Sequence, residues 1–386
     1  MSTHTTGDIP RTMRGQVLAL IRDRGPMSRA ELARQLALSA TTITRTVTDL
    51  EADKLLEEGT SLPQAGAGRP AINLHIRPEA CRVAAVQIGI GNVQVGLFDA
   101  LGKRIGANRF ENASDAPADA VLHQVAEALD RLCEVHGQAR RTLDGIGVAV
   151  PGPVDADGRR MQVSIRLGWR DTPVADALEA LTGLPVTVEH NVRAMALAEA
   201  RFGRARGLGS IAFVYLRSGL GAGLVVEGQP FSGGVHGAIE LGHLQVVENG
   251  MRCICGGRGC IETVLSETAL QATTRRLRLP PEPNALTALW HAAQRRADVA
   301  QAVDGLVAPL ATGLSALTTL INPELVLLGG ALADIPEALL ERIVAATMKG
   351  PFPAIRASIR IERSQLGADA GLAGGATVAL ERFLYA

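Results

Sequence analysis

The sequence has no net charge. Its 386 residues hold 39 Lys+Arg against 39 Asp+Glu, which argues against a chain coated in nucleic acid or lying on an acidic membrane and restricts any such contact to a local patch. Lysine is nearly missing, three residues against 36 arginines, so arginine richness in any one segment is weak evidence by itself. The first residues, MSTHTTGDIPRT, lack the apolar stretch of a secretory signal, and no run approaches the roughly 18 apolar residues of a membrane span. These absences predict a cytoplasmic protein without membrane insertion. Cysteine is scarce: five residues, at 81, 133, 253, 255 and 260. An odd number with three packed into eight positions favours a metal or redox role over a disulfide framework. What is present is ordinary, 47% apolar and 20% charged residues. That is too hydrophobic for disorder, and at roughly 150 residues per domain the chain suffices for two or three.

Residues 1–80 read as a winged helix-turn-helix. Val17, Leu20 and Ile21 repeat at helical spacing, and Ser28 with Glu31 forms a capping box ahead of Leu32 and Leu36. After a Leu38-Ser39 turn, Ile43, Val47 and Leu50 mark a third helix. The alternating Ile72, Leu74 and Ile76 predict a two-stranded wing with Gly68-Arg69-Pro70 at its tip. Charge is polarised here: seven arginines against Asp23 and Glu31 between 11 and 45 give +5, and five acids against one lysine between 49 and 58 give −4. A third helix entering a major groove would turn Ser39, Thr41, Thr42, Thr44 and Arg45 toward bases and phosphates, with Arg45 able to grip guanine through two hydrogen bonds. Arg69 would suit a narrow minor groove. The expected partner is double-stranded operator DNA, although winged modules also bind protein.

From residue 81 to 386 apolar strands alternate with Ala-rich helices, an α/β pattern. VAAVQIGIGNVQVGLFD (83–99) and IAFVYLRSGLGAGLVVEG (211–228) each read as strand, glycine turn, strand. Two such copies predict a duplicated, two-lobed fold with lobes at roughly 81–200 and 201–386.

His243, Cys253, Cys255 and Cys260 form a Cys₃His set suited to a four-coordinate zinc ion, with Gly256, Gly257 and Gly259 letting the 243–260 element fold round it. Four protein ligands leave no open position, so such an ion would be structural. The glycine turn Ser218-Gly219-Leu220-Gly221 is weaker, because hairpins demand glycine as often as phosphate loops do. Cys81 and Cys133 are expected to be core thiols.

The stretches ALSATTITRTVTDLEADKLLEE, GRP, GVAVPGPVDADG, LGWRDTPV, LPVTVEHNVRAMALAEARFG, IELGHLQV, CICGGRGCIET and INPELVLLGG resemble the ROK family of repressors and sugar kinases across essentially the whole chain. The resemblance implies an actin-like (RNase H-like) duplicated sugar-kinase-type domain behind the winged helix-turn-helix, the arrangement of that family's transcriptional regulators. It implies sugar contacts at Gly152, Arg166, Glu189, His190, Asn191, Glu240, His243 and Glu262. His243 would hold zinc through one ring nitrogen and touch ligand through the other. Two departures argue against kinase activity. Asn191 stands where the kinases carry their general base, and Gln87-Ile88-Gly89-Ile90-Gly91 replaces their Asp-x-Gly-Gly-Thr phosphate motif. Arg166 and His190 each stand where the family commonly has asparagine. The implied protein is a homodimeric or larger regulator, a repressor whose operator affinity a sugar between the lobes changes. A sugar kinase and a regulator governed by a protein partner are the alternatives.

Overall fold

The structure, a computed structural model, describes residues 11–59, 72–234, 237 and 239–386. Helix α1 (Met13–Arg24) begins where the Thr12 hydroxyl accepts from the Gly15 N–H and ends at Gly25, whose φ of 90° suits only glycine. Strand β1 (Met27–Ser28) leads into α2 (Arg29–Gln35), which opens on the predicted capping box: the Ser28 hydroxyl and the Glu31 carboxylate each accept from the other's backbone N–H. Ser39 caps α3 (Ala40–Ala52) on one side only, its hydroxyl accepting from the Thr42 N–H. Strands β2 (Leu56–Glu58) and β3 (Asn73–Ile76) complete a small sheet of order β1-β3-β2. These are the predicted wing strands; the tip with Arg69 lies outside the described residues. Val17, Leu32, Ile43, Val47, Leu50 and Leu74 are fully buried, and Leu18 rather than Leu20 completes the inner face of α1.

The charge polarity expected of this module largely cancels within the fold. Arg14 pairs with Asp53 at 2.5 Å, and Arg29 with Glu51 and Glu58 at 2.9 and 2.7 Å, so the acidic segment neutralises the basic one. Arg11 and Arg22 pair with Glu381. Of the seven arginines, Arg24, Arg34 and Arg45 stand outside ion pairs among the described residues. A one-dimensional charge count could not see this, because it has no access to which opposite charges the helices bring together.

Packing divides the chain into two compact units, residues 1–194 with 371–386, and residues 195–370. In the first, β4 (Arg82–Ile88), β5 (Asn92–Asp99) and β6 (Arg104–Glu111) form an antiparallel meander followed by α4 (Ala118–Val135). Parallel strand β7 (Gly145–Val150), the hairpin β8 (Met161–Ser164) and β9 (Trp169–Thr172), helix α5 (Val174–Thr182) and parallel strand β10 (Val186–His190) follow, and helix α6 (Asn191–Phe202) starts in this unit and continues into the second. The sheet order is β10-β7-β4-β5-β6. One face buries Val86, Val95 and Val148 under Val125 and Leu129 of α4 and Leu178 of α5.

The second unit repeats the plan. β11 (Ser210–Leu216), β12 (Leu220–Val226) and β13 (Gln229–Pro230) are antiparallel. After α7 (Glu267–Arg276), α8 (Ala285–Ala293) and α9 (Ala297–Ile321) come β14 (Leu325–Gly330), α10 (Glu337–Thr347), α11 (Pro353–Ser358) and β15 (Arg360–Arg363). β14 runs parallel to β11, and β15 parallel to β14, giving the order β13-β12-β11-β14-β15. The internal repeat read from the sequence is therefore a repeat of sheet topology. Helix α9 is long and apolar enough to cross a membrane by length and composition. Val303, Leu310, Leu314 and Leu317 on it are buried in the core of this unit.

The linear boundary at 200/201 omits one feature. Helix α12 (Ala370–Phe383) returns the chain to the first unit, against the sheet face opposite α4. Small residues make this approach possible: a Cβ on Gly147 would lie 2.0 Å from the Gly375 carbonyl oxygen. The end of α12 then meets the winged helix. The Arg22 guanidinium, its side chain only 3% exposed, pairs with Glu381 at 2.5 Å and Asp23 at 2.7 Å and lies 4.3 Å from the centre of the buried Tyr385 ring. Burial works against its charge, but Glu381 and Asp23 more than offset this and raise its pKa. The Tyr385 hydroxyl donates to the Ala100 carbonyl, and the Thr12 hydroxyl to that of Ala386. A cavity of about 240 Å³ remains at this joint, lined by Arg14, Leu18, Cys81, Asp144 and Phe383 among others.

Candidate functional site

Helix α3 buries Ile43, Val47 and Leu50 and exposes Thr41, Thr44, Arg45 and Thr48 along the opposite face. That spacing of three and four residues is the stripe a helix presents to a groove. Arg45 reaches outward with no ion pair among the described residues. The hydroxyls are less free than their residue types suggest. Ser39 caps the Thr42 N–H and shares a 2.8 Å hydrogen bond with the Thr42 hydroxyl, and Thr44 donates to the Ala40 carbonyl at 2.8 Å. Of the four expected to bind DNA through hydroxyls, Thr41 alone has no hydrogen-bond partner within the described residues.

In the first unit, β10 ends and α6 begins at Glu189-His190-Asn191. Glu189 accepts from the His190 N–H and pairs with Arg193 at 2.7 Å, while the Asn191 side chain accepts from the Val192 N–H. His190, which by residue type alone reads as an ordinary surface histidine, is buried at 8% exposure, and its Nδ1 has no hydrogen-bond partner among the described residues. Burial, with the nearby Arg193 charge, lowers its pKa to about 4, so the ring is neutral at physiological pH. The unfolded histidine titrates near 6.5, so as pH falls the unfolded state takes up the proton first. Stability present above pH 6.5 is then lost toward pH 4, by up to about 3 kcal/mol. Burial raises the Glu189 pKa despite Arg193, which acts in the opposite sense at the acid end. Urea midpoints at pH 7 and 4.5 should fall for the native chain and change much less for His190→Asn. Gly152 has a packing reason of its own, since a Cβ there would lie 2.1 Å from the Val163 carbonyl oxygen. Arg166 is half-buried in the turn between β8 and β9.

Gln87 is buried on β4, its Nε2 donating to the Ile88 carbonyl and its Oε1 without a hydrogen-bond partner among the described residues. Gly371 is required beside it, because a Cβ there would lie 2.3 Å from that oxygen.

In the second unit His243, Cys253, Cys255 and Cys260 offer ligand atoms that all lie within 4.8 Å of one another. His243 Nδ1 is 3.5 Å from the Cys253 sulfur, and the sulfurs of Cys255 and Cys260 are 3.7 Å apart. Gly256 and Gly259 take φ of 93° and 70°, and a Cβ on Gly259 would strike the Val247 carbonyl oxygen. The Gly257 N–H lowers the pKa of Cys255, whereas burial and the adjacent thiols push Cys260 up to about 12. Soft ligands this close, one of them resisting ionisation on its own, form a set that a cation would satisfy. The other ring nitrogen, Nε2, lies 3.9 Å from the Glu240 carboxylate. Glu262 follows the last cysteine and accepts from the Leu220 N–H at 3.2 Å, and Gly219 leaves room for it. This carboxylate therefore occupies an N–H of the glycine turn that a phosphate loop would offer to its ligand.

The model of the ROK family matches residues 83–382. The chain belongs to the ROK family. Ahead of the ROK domain, the MarR family model matches residues 8–65, the winged-helix segment. The DNA-binding transcriptional repressor Mlc of Escherichia coli (strain K12) is 29% identical over 381 residues, 96% of this chain and 93% of that protein. A crystal structure of a ROK family transcriptional regulator, homologous to that repressor, superposes with a TM-score of 0.81 at 26% identity over 96% of each chain. The ROK hexokinase from Thermus thermophilus superposes with a TM-score of 0.64 at 28% identity, spanning 98% of its own length but 78% of this chain.

Cys81 and Cys133 are buried, as expected for core thiols. Sequence reasoning missed Arg22, Glu381 and Tyr385 altogether. Nothing local marks Arg22, which reads as one more arginine at the end of a helix.

Proposed function

We propose that this ROK protein is a sugar-responsive transcriptional regulator, a repressor that holds operator DNA through its winged helix and changes its grip when a sugar or sugar derivative binds. The observation that carries the reading is the winged helix, with α3 laid open to solvent, joined to a ROK domain that has lost its kinase chemistry. A carboxamide at Asn191 has no basicity at neutral pH to take a proton from a sugar hydroxyl, and Gln87 offers no charge to a metal-bound nucleotide. Similarity to a repressor over almost the full length of both chains supports the same reading.

Ligand contacts are assigned to Gly152, Arg166, Glu189, His190 and Asn191 in the first unit and to Glu240, His243 and Glu262 in the second. His243, Cys253, Cys255 and Cys260 are assigned one structural zinc ion, which when bound fixes the His243 ring. With Nδ1 on the metal side, Nε2 faces Glu240 and the pair is oriented toward a hydroxyl. A homodimer working in the cytoplasm would present two α3 helices to half-sites spaced by about 10 bp or a multiple of it.

The test is a titration of the full chain on duplexes recovered from a random library, repeated with a panel of hexoses, pentoses, amino sugars and sugar acids. The expected result is sequence-selective binding that at least one sugar shifts by about 5–150-fold. Failure to select any duplex refutes the regulator. Selective binding that no sugar moves transfers control to a protein partner. Arg45→Ala should weaken binding to the selected duplex by about 1–3 kcal/mol and relax its preference at one base pair.

A further inference from the structure

The outward face of α3 is rich in threonine, and its hydrogen bonds show which threonine protons are already committed to the helix backbone. Thr44 and Thr48 are exposed, one turn apart, on either side of Arg45 in the outward stripe. The Thr44 hydroxyl donates to the carbonyl of Ala40, and the Thr48 hydroxyl to that of Thr44, at 2.8 and 2.9 Å. A hydroxyl has one proton to give. With that proton on the helix backbone, neither residue can donate to a phosphate oxygen, to N7 or O6 of guanine, to N7 of adenine or to O4 of thymine, all of which are acceptors. The bond also turns Oγ1 inward, which leaves the γ-methyl as the outward substituent. Thr46 makes the same backbone bond but is buried, so it takes no part.

We propose that Thr44 and Thr48 are specificity-determining residues that read the C5-methyl groups of thymine through their γ-methyls, flanking a guanine held by Arg45. The inference rests on the DNA-binding reading above. Methyl-to-methyl contact is the apolar readout that the major groove provides at thymine and at no other standard base. Between them Arg45 is the long donor of the stripe, and two hydrogen bonds to guanine O6 and N7 are what its planar fork matches. The half-site expected for each α3 is therefore a guanine with thymines on both sides of it, on either strand.

The experiment uses the full chain and the duplex it selects from a random library, synthesised once with thymine and once with uracil in its place, which removes only the C5-methyls. The uracil duplex should bind about threefold to fivefold more weakly for each methyl read, the ratio that burial of one methyl group gives. The double variant Thr44→Ser, Thr48→Ser keeps both hydroxyls and loses both methyls, so its thymine-to-uracil ratio should fall to about one. Thr44→Val, Thr48→Val keeps the methyls and loses the hydroxyls, so its ratio should stay at the native value. A native ratio of one, or a ratio unmoved by the serine pair, overturns the proposal while leaving the regulator reading intact. The absence of any selectable duplex overturns both. The native comparison needs no variant, so a serine pair that folds poorly cannot shelter the idea.

Discussion

Arg22→Ala will loosen the winged helix from the rest of the first unit and destabilise that unit by about 3 kcal/mol, the lower end of the range for removing one partner of a buried ion pair. The cost comes from what is left behind. Arg22 is almost wholly enclosed and neutralises Glu381 from one side while Tyr385 stacks on the other. Its loss strands a carboxylate in a place built for a pair. Glu381 still has Arg11 at 2.6 Å, which is why the low end of the range applies. Arg22→Met strands the same carboxylate but fills the space of the lost side chain, so it should cost less than Arg22→Ala by the packing part alone. Urea unfolding followed through Trp169, which sits in this unit, checks both. Equal midpoints for the native chain and Arg22→Ala would refute the account.

Cys255→Ser will abolish metal binding at the proposed zinc site of His243, Cys253, Cys255 and Cys260 and weaken the second unit. A structural zinc contributes about 10–16 kcal/mol to an isolated finger, which has no fold without it. Here part of the loop is already braced: Gln245 bridges Cys260, Arg252 bridges Arg258, and Ile261 is buried in the core against Gly313 of α9. A loss on the order of 3–5 kcal/mol is therefore expected, together with a fall in metal content from about one ion per chain to none. Chelation of the native protein should reproduce both effects, and Trp290 reports on the same unit. Full metal content in Cys255→Ser, or a native protein purified without metal and indifferent to added zinc, would remove zinc from this reading.

Features with a local signature were legible in the sequence. The capping box at Ser28 and Glu31, the apolar spacing of α3, the strand pairs on either side of a glycine turn and the Cys₃His spacing all depend on residues within about twenty positions of one another, and each forms as its pattern implies. What escaped depends on distance along the chain. Nothing near Glu381 announces that it accepts two arginines from the first two dozen residues. The +5 and −4 segments looked like polarity because counting along a sequence cannot show that Arg14 and Arg29 fold onto Asp53, Glu51 and Glu58. Burial of His190 was hidden for a related reason: its solvent exclusion comes from strands and helices that converge only in the folded unit. The commitment of the Thr44 hydroxyl is hidden at shorter range, since threonine reads as a donor to DNA until the Ala40 carbonyl four residues back takes its proton.

The docking of the winged helix on the end of α12 also fixes an order of events at the ribosome. Arg22 and Glu381 stand 359 residues apart, and a ribosome adding about 5–20 residues per second needs roughly 20 to 70 s to pass from one to the other. For most of that interval, once β3 has followed α3 out of the exit tunnel, the DNA-reading module has its capping box, its recognition helix and its hydrophobic centre, but the surface that anchors it is not yet made. A nascent chain therefore carries a reader before it carries the means to control one, and α12, made about 300 residues after β3, is the helix that brings the two under a single regime.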